Sequence, residues 1–316
     1  MRTALITGVL GQDGSFLAEH LLGLGYRVTG LELATPERAP AGVEIFAGDV
    51  GDRGRVAAVV AETRPDEIYH LAGQTSVGRS FEQPVETFQS VAGGTLNVLE
   101  AARLHAPEAR VLVASSGEIF GDTGGARASE TTPFRPASPY GAAKAAAAHV
   151  TATYRASFGL YASLAFFYNH ESPRRPERFV TRKVVRGACL IALGRAKELE
   201  LGDTSVVRDW GFAPEYVQAA QRMLTLEKPE DFVIATGESC SLAHFVERAF
   251  ECVGLEAARH VKRSASLLRA AEIPAMHADV TRAAERLGWR AEVRVDALVE
   301  RLVAAEMATL DTPVPV

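Results

Sequence analysis

Near its start the chain reads Thr3-Ala4-Leu5-Ile6-Thr7, followed at once by Gly8-Val9-Leu10-Gly11-Gln12-Asp13-Gly14. The first run has the length and apolar character of a buried strand, and residues 15–24 show helical periodicity. Glycines let the backbone approach a pyrophosphate closely, and a helix N-terminus adds N–H groups and the positive end of a dipole. This order of strand, turn and helix predicts a dinucleotide-binding turn. Its candidate cofactor-binding residues are Gly8, Gly11, Gln12, Asp13 and Gly14.

The same alternation of short apolar runs and helical patterns continues through the first half of the chain. Strands are predicted at 27–31, 43–47, 67–71 and 110–114, and helices at 53–62 and 85–104. Strands that alternate with helices through short connections predict an α/β fold with a doubly wound parallel sheet, the Rossmann fold. We therefore expect a dinucleotide-binding domain over residues 1–170, with a return segment at about 207–237. A smaller, mixed α/β substrate-binding lobe is expected over residues 171–316.

Acidic and small residues follow the predicted strands, at the sheet edge where ligands bind in such folds. Glu32 ends the second strand, where a carboxylate can hold ribose hydroxyls and repel a 2′-phosphate. Asp49 follows the third strand and suits contact with an adenine edge, although either acid could be an ordinary solvated strand end. Small residues after the fourth strand would let a nicotinamide lie close to the backbone. The further cofactor-binding candidates here are Val50, Leu71, Ala72 and Gly73.

A second motif follows the strand at 110–114, where the chain reads Ser115-Ser116-Gly117-Glu118 and later Ser138-Pro139-Tyr140-Gly141-Ala142-Ala143-Lys144. Ser138 suits a helix N-cap and Pro139 the first helical position, so Tyr140 and Lys144 should share one helix face. An ammonium beside a phenol favours the phenolate and would lower the pKa of Tyr140 from about 10 towards neutrality. With the Ser116 hydroxyl, this set could remove a proton from a sugar or alcohol hydroxyl. A Tyr-x-x-x-Lys pair alone is a common accident, so its significance depends on the dinucleotide turn before it.

Composition narrows the class of protein further. The chain has 316 residues, 47% of them hydrophobic, and a net charge of −5, which argues against nucleic acid and anionic membranes as partners. No apolar run approaches the roughly 20 residues of a membrane span, and Gly8 and Gly11 interrupt the apolar start, unlike a signal peptide. Three cysteines, Cys189, Cys240 and Cys252, lack metal-ligand spacing and suggest reduced thiols in a cytoplasm.

Beyond Phe167 the alternation of strand and helix patterns weakens, and polar and basic motifs follow. Arg208 and Arg269 offer guanidinium groups suited to bidentate contact with a diphosphate, although ordinary surface pairing is the alternative for either one alone.

Together these motifs resemble the extended short-chain dehydrogenase/reductases and, within them, the GDP-mannose 4,6-dehydratase family. The resemblance covers almost the whole chain, and its most specific parts are Asn169-His170-Glu171-Ser172-Pro173-Arg174-Arg175 and Arg208-Asp209-Trp210-Gly211. Residues 7–15, 80–84, 130–134, 179–183 and 230–237 also match the family pattern.

The resemblance implies a nucleotide-sugar 4,6-dehydratase that acts on GDP-mannose or a related GDP-sugar, with internal hydride transfer through bound NAD, NADP being possible. It implies a nucleotide-diphosphate sugar as substrate, no bound metal, and a homodimer formed through the helices at 85–104 and 140–158. The implied catalytic residues are Ser116, Glu118, Tyr140 and Lys144, and His170 and Arg175 join Tyr140 and Lys144 at the cofactor. The implied substrate-binding residues are Gln74, Ser80, Ser116, Asn169, Val180, Lys183, Arg208, Arg269 and Glu272.

The chain departs from the family pattern in two places that bear on chemistry. Gly117 stands where related dTDP-glucose dehydratases carry an aspartic acid that acts as general acid, so Glu118 or Ser116 would have to assist water departure. A short stretch, Leu33 to Gly42, replaces the family's arginine-rich loop, which helps to bind the 2′-phosphate of NADP and to pack a tetramer. With Glu32, this departure favours NAD over NADP and a dimer over a tetramer.

Three alternatives stay open from the sequence. A 4-epimerase or 4-ketoreductase of the same fold would use Ser116, Tyr140 and Lys144 without requiring Glu118. A dehydratase for another nucleotide sugar would keep all four residues. A dinucleotide-binding sensor or scaffold would bind cofactor without turnover, whereas a reductase would consume external NAD(P)H and a dehydratase would need no added reductant.

Overall fold

The computed structural model describes residues 1–34, 40–268 and 271–311. The strands are β1 (Thr3–Thr7), β2 (Arg27–Glu32), β3 (Val43–Ala47), β4 (Glu67–His70), β5 (Arg110–Ser116), β6 (Arg127–Ala128), β7 (Ala162–Phe167), β8 (Asn169–Glu171), β9 (Leu199–Leu201), β10 (Val207–Phe212), β11 (Phe232–Ile234), β12 (Ser239–Ser241), β13 (Val261–Arg263) and β14 (His277–Ala278). The helices are α1 (Gln12–Gly23), α2 (Arg53–Thr63), α3 (Val77–Glu82), α4 (Pro84–Phe88), α5 (Gly94–His105), α6 (Pro139–Phe158), α7 (Val180–Ala192), α8 (Ala213–Met223), α9 (Leu242–Glu251), α10 (Thr281–Leu287) and α11 (Val295–Asp311).

A parallel sheet of seven strands forms the centre of the molecule, in the order β11-β7-β5-β4-β1-β2-β3. Every neighbouring pair in it is parallel. The chain runs outward from β1 in both directions, through β2 and β3 on one side and through β4, β5 and β7 on the other. The point between β1 and β4, where the strand order reverses, is where such sheets bind ligands. The predicted doubly wound parallel sheet is confirmed.

Both faces of this sheet are covered by helices, which is why its strands are apolar on both sides. Leu17 of α1 and Val217 of α8 pack in the core on one face. Val59 of α2, Leu99 of α5 and Ala148 of α6 pack in the core on the other. The carboxyl ends of the strands stay open between these layers and carry the site.

A third core lies among α7, α9 and α11, with Trp210 of β10 buried in it. Glu306 of α11 is fully buried there; it lies 2.5 Å from the Arg182 guanidinium and accepts from Arg186 at 2.8 Å, so charge pairs join α11 to α7. Three small sheets, β12-β10-β8, β13-β9 and β14-β6, accompany this core. The division of the chain into a cofactor domain and a substrate lobe stays a prediction.

Two predicted helices differ in detail from the structure. The first begins at Gln12 rather than at Ser15, so Gly14 lies inside α1, where a Cβ would stand 2.2 Å from the carbonyl oxygen of Gly8. The helix predicted over 85–104 contains a π-helical segment, Gln89–Gly93, between α4 and α5. Within residues 1–34, 40–268 and 271–311, no helix combines the length and apolarity needed to cross a membrane.

Candidate active site

The glycine turn between β1 and α1 is held close to the neighbouring strand ends. The N–H of Gly8 donates to Leu31 at 2.8 Å, and the N–H of Gly11 donates to Gly8 at 3.0 Å. Gly8 has a φ of +73°, and a Cβ there would lie 3.0 Å from the Cα of Ala72. Only glycine suits both the left-handed backbone and this close approach. The turn therefore has the compact form that a pyrophosphate cradle needs.

Gln12 and Asp13 connect this turn to the segment after β7. The Gln12 side chain donates to the carbonyl oxygen of His170 at 3.1 Å and accepts from the Ser172 hydroxyl at 2.8 Å. Asp13 Oδ2 lies 2.8 Å from Nε2 of His170. Burial opposes ionisation of Asp13, but the charge and hydrogen bond of His170 keep its pKa below the usual value. Burial likewise opposes protonation of His170, and Asp13 nevertheless raises its pKa.

Two predicted cofactor-binding acids lie at the ends of β2 and β3. The Glu32 carboxylate accepts hydrogen bonds from the N–H groups of Leu10 and Leu33, each at 3.1 Å. Asp49 Oδ1 accepts from the N–H of Gly51 at 2.8 Å. The next residue, Val50, is buried and packs so closely against Gly94 that a Cβ on Gly94 would clash with it. Both acids thus stand at the open sheet edge, Glu32 directly against the glycine turn.

The end of β4 carries a hydrogen-bonded pair under the turn. The Thr7 hydroxyl accepts from the N–H of Ala72 at 3.2 Å and lies 2.8 Å from Nδ1 of His70. The Thr7 hydroxyl and the His70 ring thus share a buried hydrogen bond, whose direction follows the tautomer of the ring. Burial first, and then the charge of Lys144, lower the pKa of His70 to about 3. Leu71 packs against the core nearby.

Three further predicted residues follow β4. Gly73 has a φ of +140°, which only glycine adopts readily. The Gln74 amide donates to Ser76 at 2.9 Å and to Thr87 at 3.1 Å, so it braces the start of α3. Ser80 is fully buried, and its hydroxyl donates to the Val77 carbonyl at 2.7 Å within α3. The structure therefore gives the Gln74 and Ser80 side chains local partners, and their roles toward a substrate stay predictions.

Helix α6 brings Tyr140 and Lys144 to the end of β5, as predicted. Ser138 caps the helix by accepting from the N–H of Gly141 at 3.0 Å. Lys144 Nζ donates to the carbonyl oxygen of Ala114 at 2.6 Å and lies 5.9 Å from the centre of the Tyr140 ring. A side-chain hydrogen bond joins Tyr140 to Ser116. Hydroxyl, phenol and ammonium thus meet beside the turn that starts α1.

The expected lowering of the Tyr140 pKa is wrong for this structure. Burial raises it to about 12; the hydrogen bond from Ser116 lowers it only in part, and the charge of Glu118 raises it. Burial also lowers the pKa of Lys144 to about 8, against the charge of Asp13. Both side chains lie where the charged form is poorly solvated, and burial is the largest cause of both pKa shifts. Tyr140 is therefore a neutral phenol in this arrangement.

Glu118 and Gly117 form the short turn after β5. The N–H of Glu118 donates to the Ser116 hydroxyl at 3.3 Å, and the side chain of Glu118 is half-buried close enough to act on Tyr140. A Cβ on Gly117 would lie 2.9 Å from the Tyr168 ring and 3.0 Å from the Met276 methyl. Tyr168 and Met276 thus occupy the space that a larger side chain at 117 would need.

The segment after β7 places Asn169 and Arg175 near the carboxyl ends of the same strands. Asn169 is half-buried in β8 and pairs with Trp210 of β10. Arg175 Nε lies 3.1 Å from Glu171, and its guanidinium lies 3.7 Å from the centre of the Phe179 ring. Its charge acts to lower the pKa of Tyr140. Arg175 is therefore close to the cofactor side of the cluster.

Among the predicted substrate-binding residues, the structure brings Arg208 and Glu272 together. Arg208 is buried in β10 and donates to Glu272 at 2.6 Å and to the Ile273 carbonyl at 2.8 Å. Val180 and Lys183 lie half-buried in the first turns of α7. Arg269, the predicted partner of Arg208, lies outside the described residues.

Sequence reasoning missed three residues of this region: Tyr168, Tyr216 and Met276. Tyr168 directly precedes the Asn169–Arg175 motif, and this position could have identified Tyr168 from the sequence. Tyr216, in α8, stacks on His170 with ring centres 4.7 Å apart. Met276 comes from far along the chain, and no local pattern points to it.

Comparisons with known proteins identify what this architecture is similar to. A family model described as GDP-mannose 4,6 dehydratase matches residues 5–302. "GDP-mannose 4,6 dehydratase 1" of Arabidopsis thaliana is 40% identical over 97% of this chain and 90% of its own length. "GDP-mannose 4,6-dehydratase" of Yersinia enterocolitica is 37% identical over 97% of this chain and 94% of its own. The crystal structure of a Thermus thermophilus UDP-glucose 4-epimerase with NAD superposes with a TM-score of 0.85 at 30% identity, covering 96% of this chain and 98% of that one.

Proposed function

This chain belongs to the GDP-mannose 4,6-dehydratase family, and on that basis we propose that it converts GDP-mannose, or a related GDP-sugar, into the 4-keto-6-deoxy sugar. The resemblance predicted from the sequence motifs is thereby confirmed. The observation that carries the proposal is the position of Glu118 beside the Ser116–Tyr140–Lys144 cluster. An oxidation at C4 needs only the cluster, whereas elimination of water also needs a base for a carbon-bound proton.

The glycine turn fits a dinucleotide, NAD or NADP. A Cβ at Gly11 would lie 3.2 Å from the carbonyl oxygen of Gly8, so the turn is compact and its N–H groups stand at the N-terminus of α1. Gly8, Gly11 and Gly14 would hold the pyrophosphate, and Glu32 the adenosine ribose. Bound there, an oxidised nicotinamide would accept the hydride of C4 and, once reduced, would return it to C6. Its positive charge in the oxidised form would favour a nearby phenolate.

Tyr140 is the base for the sugar 4-hydroxyl. Tyr140 is neutral in this structure, and the positive charge of a bound oxidised nicotinamide would favour its phenolate. The phenolate oxygen receives the proton of the 4-hydroxyl as the hydride leaves C4, while Ser116, hydrogen-bonded to Tyr140, orients the 4-oxygen. Lys144 is fixed by Ala114 near the ring and contributes a positive charge below its pKa of about 8. The 4-ketone that results makes the hydrogen on C5 acidic.

Glu118 takes the C5 proton and, once protonated, gives a proton to the departing C6 oxygen as water leaves. Gly117 has no side chain for this second task, and the Tyr168 ring fills the space beside it. One carboxyl group therefore serves as base and then as acid. A bound nicotinamide would then return the hydride to C6, and a proton taken up from solvent at C5 completes the 4-keto-6-deoxy product.

The nucleotide diphosphate is bound by Arg208 with Arg269, and Glu272 accompanies Arg208. The buried Arg208 already forms a charge-assisted hydrogen bond to Glu272, which supports a site for a fixed polar ligand. Asn169, Val180 and Lys183 lie on elements adjoining the same edge and contact the sugar or base in this proposal.

The active form is a homodimer, in the cytoplasm. Exposed apolar side chains on the helices of one face support the dimer: Val85 and Phe88 of α4, Leu96 of α5 and Phe158 of α6. The three cysteines are free, which supports a reducing compartment.

One assay tests the proposed function directly. The purified protein is incubated with each member of a panel of nucleotide sugars, without added reductant, and the products are examined by mass for loss of one water. We expect water loss with GDP-mannose or another GDP-sugar. A product of unchanged mass but altered configuration would make the chain a 4-epimerase instead. Turnover only with external NAD(P)H would make it a reductase.

A further inference from the structure

His170 is an imidazolium by its hydrogen bonds. Its Nδ1 lies 2.7 Å from the carbonyl oxygen of Tyr168, and its Nε2 lies 2.8 Å from Oδ2 of Asp13. A carbonyl oxygen and a carboxylate oxygen only accept, so both ring nitrogens must carry protons. The ring is nine-tenths buried, so a charge pair stands beside the glycine turn, largely shielded from water.

Two aromatic rings, which also contact each other, pack against this imidazolium. The Tyr216 ring stacks on it with centres 4.7 Å apart and planes 25° apart, and Phe167 lies 5.3 Å away at a tilt. A cation over an aromatic face is attracted by the ring's quadrupole. Tyr216 is fixed in turn by Trp289, edge-on at 5.8 Å.

The backbone makes room for this stack at Gly211. A Cβ on Gly211 would lie 2.3 Å from the Tyr216 ring, so only glycine fits there. The Tyr216 hydroxyl is buried with no hydrogen-bond partner among the residues that the structure describes. An unpaired buried hydroxyl costs free energy, so any stabilising contribution of Tyr216 comes from its ring.

Asp13 lies in the first turn of α1, where a cofactor pyrophosphate would bind. A carboxylate there repels the pyrophosphate unless a cation offsets it. We propose that Tyr216 is a positioning residue that holds the His170 imidazolium against Asp13 and so neutralises the charge at the cofactor turn. This inference rests on the proposed function for its ligand, NAD(P), and assigns Tyr216 and Gly211 a role in cofactor affinity.

Other charged groups also face His170. Arg175, from the same segment, acts to lower the pKa of His170, while Asp13 raises it, and the second effect prevails. Glu171 pairs with Arg175 at 3.1 Å and accepts from Thr181, so it does not compete for His170. As pH rises through the pKa of His170, the neutral ring no longer offsets Asp13, and cofactor affinity should fall.

The first test compares two substitutions of Tyr216 by calorimetric titration of the purified protein with NAD+. Tyr216→Leu removes the ring and should weaken NAD+ binding by between about twofold and tenfold, the range expected for one lost aromatic contact. Tyr216→Phe keeps the ring and should restore wild-type affinity, with equal or higher thermal stability. Equal weakening in both variants would overturn the proposal, because the ring would then be irrelevant.

The second test removes the charges themselves. His170→Gln should weaken NAD+ binding by about tenfold, and adding Asp13→Asn should recover most of the loss, since no carboxylate is left to offset. Asp13→Asn alone should abolish the fall in affinity at high pH. If the double variant binds no better than His170→Gln, the charge argument is wrong.

A readout without cofactor separates this inference from the proposed function. The His170 ring is titrated by nuclear magnetic resonance in the ligand-free protein. Its pKa should fall in Tyr216→Leu and stay as in the wild type in Tyr216→Phe. An unchanged titration in Tyr216→Leu would overturn the positioning role. Failure of the wild type to bind NAD+ or NADP+ would refute the proposed function and the role assigned in cofactor affinity.

Discussion

The carboxylate of Glu32 accepts a hydrogen bond from the backbone N–H of Leu10, 3.1 Å away, so the acid at the end of β2 closes on the glycine turn that follows β1. A second N–H, from Leu33, fixes its other oxygen at 3.1 Å. The carboxylate is thereby held in place before any ligand arrives. A 2′-phosphate on an adenosine bound at this turn would meet a fixed negative charge.

We therefore expect NAD+ to bind more tightly than NADP+. Glu32→Gln should raise the affinity for NADP+ about fivefold, because like charges a few ångströms apart in water repel by about 1 kcal/mol. Direct calorimetric titration with both cofactors measures this. Glu44→Gln, on the neighbouring strand and paired with Arg27, is the matched control and should change neither affinity. A clear preference of the wild type for NADP+ would contradict the prediction; Arg38, the nearest basic residue in sequence, lies outside the described residues.

Glu118 distinguishes a dehydratase from a simple oxidoreductase on this fold. Glu118→Gln should still oxidise C4 slowly but should not eliminate water, because an amide cannot remove the C5 proton. In deuterated water the wild type should place deuterium at C5 of the product, and the variant should not. Glu108→Gln, just before the amino-terminal end of β5, should behave as wild type.

The simpler role for Glu118 is to cap a backbone group at the turn before Phe120. In that case the variant would lose stability and keep dehydration nearly intact. A fully active Glu118→Gln protein, or a wild-type product without solvent deuterium, would refute the mechanism.

Gly117 should tolerate no side chain. Gly117→Ala puts a methyl group 2.9 Å from the Tyr168 ring, and overpacking of this kind costs about 1–3 kcal/mol of unfolding free energy. Gly23→Ala is the control, since no atom of the described residues lies within 4 Å of its added carbon at the end of α1. It should leave stability unchanged or increase it. Equal midpoints of urea unfolding for wild type and Gly117→Ala would show that Tyr168 can move aside.

His70 should make the protein sensitive to acid. Its pKa is about 3 when folded, against an ordinary value of 6.5, so between these values only the unfolded state binds the proton. The free energy of unfolding should therefore fall by up to about 1.4 kcal/mol for each unit that the pH drops below 6.5. His70→Gln should lose that part of the slope in urea unfolding measured from pH 6.5 downward. The exposed His105→Gln is the control; equal slopes for all three proteins would contradict the prediction.

The dimer should depend on the exposed apolar face of α4, α5 and α6. Phe88 is 50% exposed, and Phe88→Glu places a charge among these exposed apolar side chains. We expect the wild type to scatter light as a dimer and the variant as a monomer. Leu24→Glu, an equally exposed leucine after α1, should stay dimeric. A tetrameric mass for the wild type would contradict the predicted assembly.

Much of the fold follows from local pattern. The strand ends at Thr7 and Glu32 could be predicted because each closes a short apolar run that must be covered on both faces. The strand predicted over 110–114 continues for two more residues, to Ser116. The two- and three-residue strands of the small sheets could not, since such short runs show no periodicity. They exist because distant segments pair, as β6 does with β14.

The meeting of Tyr140 and Lys144 with the end of β5 was predictable from the sequence, but the electrostatics of these groups were not. Spacing alone brings Tyr140 and Lys144 to one face of α6, but their pKa values depend on how deeply that face is buried. Burial is a property of the whole fold, so the sign of the Tyr140 shift could not be read from the motif. Tyr216 and Met276 reach the region only through tertiary packing of later elements.

The order of strands in the central sheet also bears on how the chain is synthesised. β7 lies between β5 and β11, yet β11 begins only at Phe232, after β8, α7, β9, β10 and α8. All residues of β7 are buried in the folded protein. In a nascent chain, β7 therefore keeps one edge unpaired until β11 has been synthesised. Such an edge readily pairs with other chains. Translation that stops before Phe232 should thus release a fragment prone to aggregate, even though every residue of the Ser116–Tyr140–Lys144 cluster has already been made.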